Sequence, residues 1–201
     1  MSAASPTTEP IRVPKVWNLP NLLTTARLGL AVVLFLVISD EDWLIALAVF
    51  ILAAITDWLD GFLARRQGLT SAFGRNFDPL VDKVLICGAF IFLLPVKPAG
   101  VAAWMVTLIV ARELIITGLR SFFESQMASF GADWLGKLKM VLQCACLIAI
   151  FAALALRSGD QSGLLNFVDA ARQGLIWAML VATALSGAQY VWRAAVLFRA
   201  I

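Results

Sequence analysis

Histidine is absent from this chain of 201 residues. That absence removes histidine metal ligands, histidine general bases and every triad built on an imidazole. Charge is scarce as well: 14% of the residues are Asp, Glu, Lys or Arg, where a soluble domain carries roughly a quarter. So little polar surface cannot coat a globule in water, and with 61% of the chain apolar lipid is the expected solvent for most of it. Cysteine is limited to Cys87, Cys144 and Cys146. All three lie inside apolar runs without metal-ligand or disulfide spacing, so they read as small packing residues. The excess of base over acid is small, 16 Lys and Arg against 13 Asp and Glu, and gives no reason to expect a nucleic-acid partner. Residues 1–12 are polar, contain proline and have no basic n-region. They read as a disordered cytoplasmic tail rather than a cleavable signal peptide, followed by one domain over residues 13–201.

A bilayer core takes about 20 apolar residues per helix. Six stretches meet or approach that length: 22–38, 43–63, 79–94, 101–122, 135–156 and 174–198. Asp40-Glu41-Asp42, the segment from Gly68 to Gly74, Pro95 with Pro98, and residues 158–163 separate them. The expected fold class is therefore all-α, an integral membrane bundle of six transmembrane helices. Residues 13–21, with Trp17 beside Lys15 and Arg12, read as an amphipathic interfacial helix ahead of it. One side of the bundle collects Arg12, Lys15, Arg27, Arg65, Arg66, Arg75, Arg120, Lys137, Lys139, Arg193 and Arg199, and the other only Lys97, Arg157 and Arg172. That asymmetry puts both termini in the cytoplasm of a multi-pass inner-membrane protein. In the last stretch Trp177, Tyr190 and Trp192 read as interfacial anchors.

The chemistry concentrates between Asp57 and Asp82. Asp57 and Asp60 are three apart, Asp78 and Asp82 four apart, so each pair shares a helix face. The fourteen steps from Trp43 to Asp57 cover about 21 Å of helix, which leaves the acids within the membrane but toward its cytoplasmic face. Four ionised carboxylates there need a cation, since a single Asp at a helix centre costs about 3 kcal/mol on insertion scales. An all-oxygen cluster of this kind matches Mg²⁺ or Mn²⁺ better than zinc or copper. Gly61 and Ala64 fall on the face of Asp57 and Asp60 and leave room for a bulky ligand. Arg65 flanks that face, suited to a bidentate phosphate contact. Structural ion pairs with Arg112 or Lys83, or an ion-coupled transporter, are the competing readings of such acids.

The run Asp57, Asp60-Gly61, Ala64-Arg65, Gly74, Asp78, Asp82 resembles the signature of the CDP-alcohol phosphotransferase family at every one of its positions. Three further segments are similar to the branch of that family whose acceptor is glycerol 3-phosphate. They are Asn18-Leu19-Pro20-Asn21-Leu22-Leu23-Thr24 with Arg27, Ala111-Arg112-Glu113 leading to Thr117-Gly118-Leu119-Arg120, and Gly136-Lys137-Leu138-Lys139 with Gln143. The resemblance implies transfer of the phosphatidyl group of CDP-diacylglycerol to the acceptor, in a membrane enzyme that commonly forms homodimers. It implies that Asp57, Asp60 and Asp78, with Asp82 touching one ion, hold two magnesium ions. Asp82 would be the general base. Asn21, Thr24, Asp57, Gly61, Ala64, Arg65, Gly74 and Asp78 would line the CDP-lipid site, and Arg112, Arg120, Lys137 and Lys139 would receive the acceptor phosphate. Other acceptors, namely inositol phosphate, serine or phosphatidylglycerol, stay open at this point.

Overall fold

The structure is a computed structural model that describes residues 19–67, 72–125, 134–157 and 162–198. Among these residues the expected all-α class holds. There is no strand, and the long elements are α1 (Leu19–Ser39), α2 (Trp43–Gln67), α3 (Ala72–Phe92), α4 (Ala103–Ser125), α5 (Trp134–Arg157) and α6 (Ser162–Phe198). A 3-10 turn, Lys97–Ala99, stands between α3 and α4. Residues 13–18 of the expected interfacial helix lie outside the described residues, and its last three positions are the first turn of α1.

Side-chain contacts fix the direction of each helix. Arg27, in the first half of α1, meets Asp57, in the second half of α2, and Asp82, at the middle of α3. Lys83 of α3 reaches Thr117, late in α4. Glu113 of α4 meets Lys139, early in α5, and Arg120 meets Tyr190, late in α6. The helices therefore alternate up and down, with all of these groups at one end of the bundle. The α1–α2 turn, the 3-10 turn and the start of α6 lie at the opposite, far end.

The far end is fastened by backbone geometry and by one buried arginine. The α1–α2 turn closes α1 with paired bonds from Asp42 N to Val37 O and from Glu41 N to Ile38 O, each 3.2 Å long. This is the 6→1 and 5→2 pattern that ends a helix on a left-handed residue. Glu41 takes that role at φ 60°. Asp42 immediately precedes α2, its carbonyl accepting from Ala46 N at 2.9 Å.

Arg172 is buried near the start of α6, its Nη1 donating to the carbonyls of Pro98 and Ala99 at 2.9 and 2.5 Å. Its Nε donates to Asp169, which also accepts from Arg157 at the end of α5. Gly100 follows the 3-10 turn at φ +74°, where any Cβ would lie 2.6 Å from the Arg172 guanidinium. Both the backbone conformation and the space require glycine. This latch also explains why α6 starts at Ser162, twelve residues before the apolar stretch beginning at Gly174. Its first turns carry Asp169 and Arg172, which face protein rather than lipid. An Arg172→Ala protein should lose about 3 kcal/mol, because two carbonyls and one face of Asp169 lose a buried charged donor. Thermal unfolding in detergent micelles measures that loss.

Between the ends runs an apolar core in which Leu34, Ile38, Phe50, Phe90, Ile109, Leu147, Ile150 and Phe151 are fully buried. Phe50 of α2 and Phe151 of α5 meet with ring centroids 5.9 Å apart. Cys146 belongs to this core, Cys87 and Cys144 pack against it, and all three are free thiols as expected.

The outer surface is apolar too. Leu36, Leu44, Leu114, Val141, Phe167, Trp177 and Trp192 all point outward, which suits lipid as solvent. Tyr190 does not join the two tryptophans as an anchor; it is buried, 3% exposed, and bonded inside the bundle. By length and composition, two helices among the described residues suffice to cross a bilayer, Trp134–Arg157 and Gly163–Val196. In α1 and α2 the qualifying apolar parts are the shorter Thr24–Ser39 and Trp43–Asp57. In α3 and α4 the charged groups of the site interrupt the apolar runs. The whole is consistent with a membrane helical bundle.

Candidate active site

At the charged end, α1, α2 and α3 bring three ionised side chains to one point. Thr24 and Arg27 are three apart on α1 and both buried, Arg27 completely. A helix aims positions so spaced to the same side, here toward α2 and α3. The Arg27 Nη1 lies 2.9 Å from Asp57 Oδ1 and 2.8 Å from Asp82 Oδ1. The two aspartates are part-exposed, 46% and 21% by side chain, so the acids open outward while the cation closes the site from behind. The trio carries one net negative charge, which still attracts a cation. Sequence reasoning counted Arg27 only toward orientation. A signal was present nonetheless: a lone cation a few residues into an apolar run requires an anionic partner, and acids are scarce in this chain.

A second, basic cluster lies among α3, α4, α5 and α6. Glu113 is buried and pairs with both Arg112, at 3.3 Å, and Lys139. Lys83 Nζ donates to Thr117 Oγ1, which donates on to the Glu113 carbonyl, each bond 2.6 Å long. Arg120 Nη2 donates to Tyr190 Oη at 3.0 Å, and Arg112 Nη2 donates to Ser186 Oγ. One carboxylate thus stands among four cations. Arg112 and Lys139 both pair with Glu113, yet the charge balance around it stays strongly positive. A partly enclosed group of this kind favours an anionic ligand.

Of the residues expected to bind the acceptor phosphate, Arg112, Arg120 and Lys139 fall in this cluster. Lys137 is exposed, two positions from Lys139 on α5. Of the acids, Asp57 and Asp82 are brought together. The helical backbone of α2 runs through Asp60, Gly61, Ala64 and Arg65, that of α3 through Gly74 and Asp78, and that of α1 through Asn21. The side chains of these residues lie outside the described ones. Sequence reasoning missed Ser186 as a site residue and took Tyr190 for a membrane anchor. The one signal in the sequence was spacing, since a Ser and a Tyr four apart share a helix face.

The acid set suits a hard divalent ion. Its donors are carboxylate oxygens from two helices, and Asp57 and Asp82 already converge on one positive centre. Among the described residues no three potential ligands stand together, and the side chains of Asp60 and Asp78 lie outside those described.

A family model described as CDP-alcohol phosphatidyltransferase matches residues 17–185. A Bacillus subtilis protein named CDP-diacylglycerol–glycerol-3-phosphate 3-phosphatidyltransferase is 33% identical over 190 residues, covering 87% of this chain and 94% of its own length. A Rickettsia typhi protein of the same name is 34% identical over 176 residues, covering 86% and 94%. A third, from Cereibacter sphaeroides, is 35% identical over 169 residues, covering 80% and 72%.

Proposed function

The chain belongs to the CDP-alcohol phosphatidyltransferase family, and from that premise we propose that it moves the phosphatidyl group of CDP-diacylglycerol onto sn-glycerol 3-phosphate. The products are phosphatidylglycerophosphate and CMP. The observation that carries the reading is the convergence of Asp57 and Asp82 on one cation, at the end of the bundle that also holds the Arg112–Lys139–Arg120 cluster. An acid site for a metal-bound diphosphate and a basic site for a phosphorylated acceptor are what a transfer between two anions requires.

The acceptor hydroxyl attacks the lipid-linked phosphorus in line. A new P–O bond forms as the bond to CMP breaks, and the hydroxyl proton passes to a carboxylate. Asp82 is that base: with no histidine in the chain, an acid must do the work, and Arg27 holds it in place. Asp57, Asp60, Asp78 and Asp82 would hold two magnesium ions, or manganese in their place, which when bound supply charge neutralisation for the diphosphate. Asn21, Thr24, Gly61, Ala64, Arg65 and Gly74 line the CDP side. Arg112, Arg120, Lys137 and Lys139 take the acceptor phosphate, and the positioned charges supply most of the acceleration.

All six helices span the inner membrane in this reading, with both termini and the site on the cytoplasmic side and the lipid tails left in the bilayer. The enzyme works as a homodimer.

CMP release by the purified protein in mixed micelles, with CDP-diacylglycerol and a panel of acceptors, tests the assignment. We expect glycerol 3-phosphate to exceed serine and phosphatidylglycerol by about a hundredfold or more, since a site built for a dianionic phosphate monoester rejects ligands lacking that group. Equal or greater turnover with inositol phosphate would reassign the acceptor.

A further inference from the structure

Two neutral side chains of α6 hold the arginines of α4. Ser186 and Tyr190 are four apart and so share a face of the helix, and both are buried, at 0% and 3% exposed. Ser186 Oγ accepts from Arg112 Nη2, and Tyr190 Oη accepts from Arg120 Nη2 at 3.0 Å. Both guanidinium groups also lie against the one Tyr190 ring, with their carbons 5.7 and 6.0 Å from its centroid. Between the two residues, Gly187 lets the Arg112 stem pass; a Cβ there would come within 3.3 Å of Arg112 Cγ.

The chemistry of these partners matters more than their number. A carboxylate would orient an arginine and cancel its charge together. A hydroxyl or an aromatic face orients it and leaves the charge in place. Among the described residues Arg120 has no carboxylate partner, and Arg112 shares its one carboxylate, Glu113, with Lys139. Two like charges on one ring repel each other. Their arrangement makes sense when a ligand with two negative charges completes it.

We propose that Ser186 and Tyr190 are positioning residues of the acceptor site. They fix the separation of Arg112 and Arg120 so that both guanidinium groups address one dianionic phosphate monoester. This rests on the reading of glycerol 3-phosphate as the acceptor. It gives α6, the helix whose sequence reads as an anchor, a share in acceptor selection without contact with the reacting atoms.

The test is steady-state kinetics of purified Tyr190→Phe, Tyr190→Leu and Ser186→Ala proteins, varying each substrate in turn. Tyr190→Phe keeps the ring and removes one hydrogen bond to a charged group, so KM for glycerol 3-phosphate should rise about tenfold. KM for CDP-diacylglycerol and kcat at saturating acceptor should stay near wild type. Ser186→Ala should behave alike. Tyr190→Leu, which also loses the ring, should raise the acceptor KM further, and inorganic phosphate should weaken in parallel as a competitor of the acceptor. If Tyr190→Leu fails to fold, Tyr190→Phe decides. An unchanged acceptor KM in Tyr190→Phe, or equal rises in both KM values, overturns the positioning role. A wild-type protein that does not turn over glycerol 3-phosphate at all instead removes the acceptor assignment, and this proposal with it.

Discussion

An Asp82→Asn protein should bind CDP-diacylglycerol close to normally and transfer almost nothing, with kcat down by about 10³-fold, the scale of a lost general base. Asn keeps the size and one oxygen of the carboxylate, so it still accepts a hydrogen bond from Arg27. What it loses is the capacity to take a proton. The part-exposed position of Asp82 fits the role, since its carboxylate must meet an acceptor arriving from outside the bundle. Lipid binding and thermal unfolding should be followed beside CMP release. Turnover within a few-fold of wild type would show that the acceptor hydroxyl is deprotonated elsewhere.

Arg27→Ala should be more damaging to the fold than any other single change at the site. It removes a completely buried cation from between two acids. Breaking a buried pair while leaving the opposite charge behind costs about 3–5 kcal/mol; exposure of Asp57 to its surroundings places this case at the lower end. Arg27→Lys keeps the charge but offers one compact ammonium in place of a planar guanidinium whose Nη1 meets both carboxylates. It should recover part of the stability and less of the activity. Thermal unfolding in micelles, with and without magnesium, reads both effects. An Arg27→Ala protein as stable as wild type in the absence of magnesium would show that the acids need no resident cation.

Much of this was legible in the sequence because lipid tolerates few charges, so each one carries information. The four aspartates, their spacing and the glycine and alanine between them mark the signature without any coordinates. The far side of the bundle was equally plain: Lys97, Arg157 and Arg172, grouped by their scarcity, do lie together at one end. What could not be read were the partners across helices. Periodicity assigns a face to Arg27 but not which neighbouring helix that face meets. Nor does it distinguish Tyr190 from Trp192, two positions on, although one is buried and the other 72% exposed. Glu113 shows the same limit. Its sequence neighbour Arg112 is an obvious partner, but its pairing with Lys139, 26 residues away, depends on how α4 and α5 pack.

The position of Arg27 also bears on how the chain enters the bilayer. An arginine or aspartate at a helix centre costs about 3 kcal/mol each during insertion, and a ribosome delivers helices in order. The cation on α1 emerges first and is already in place when Asp57 and then Asp82 follow on α2 and α3. One of the two negative charges can therefore be offset within the first three helices, before α4 has been made.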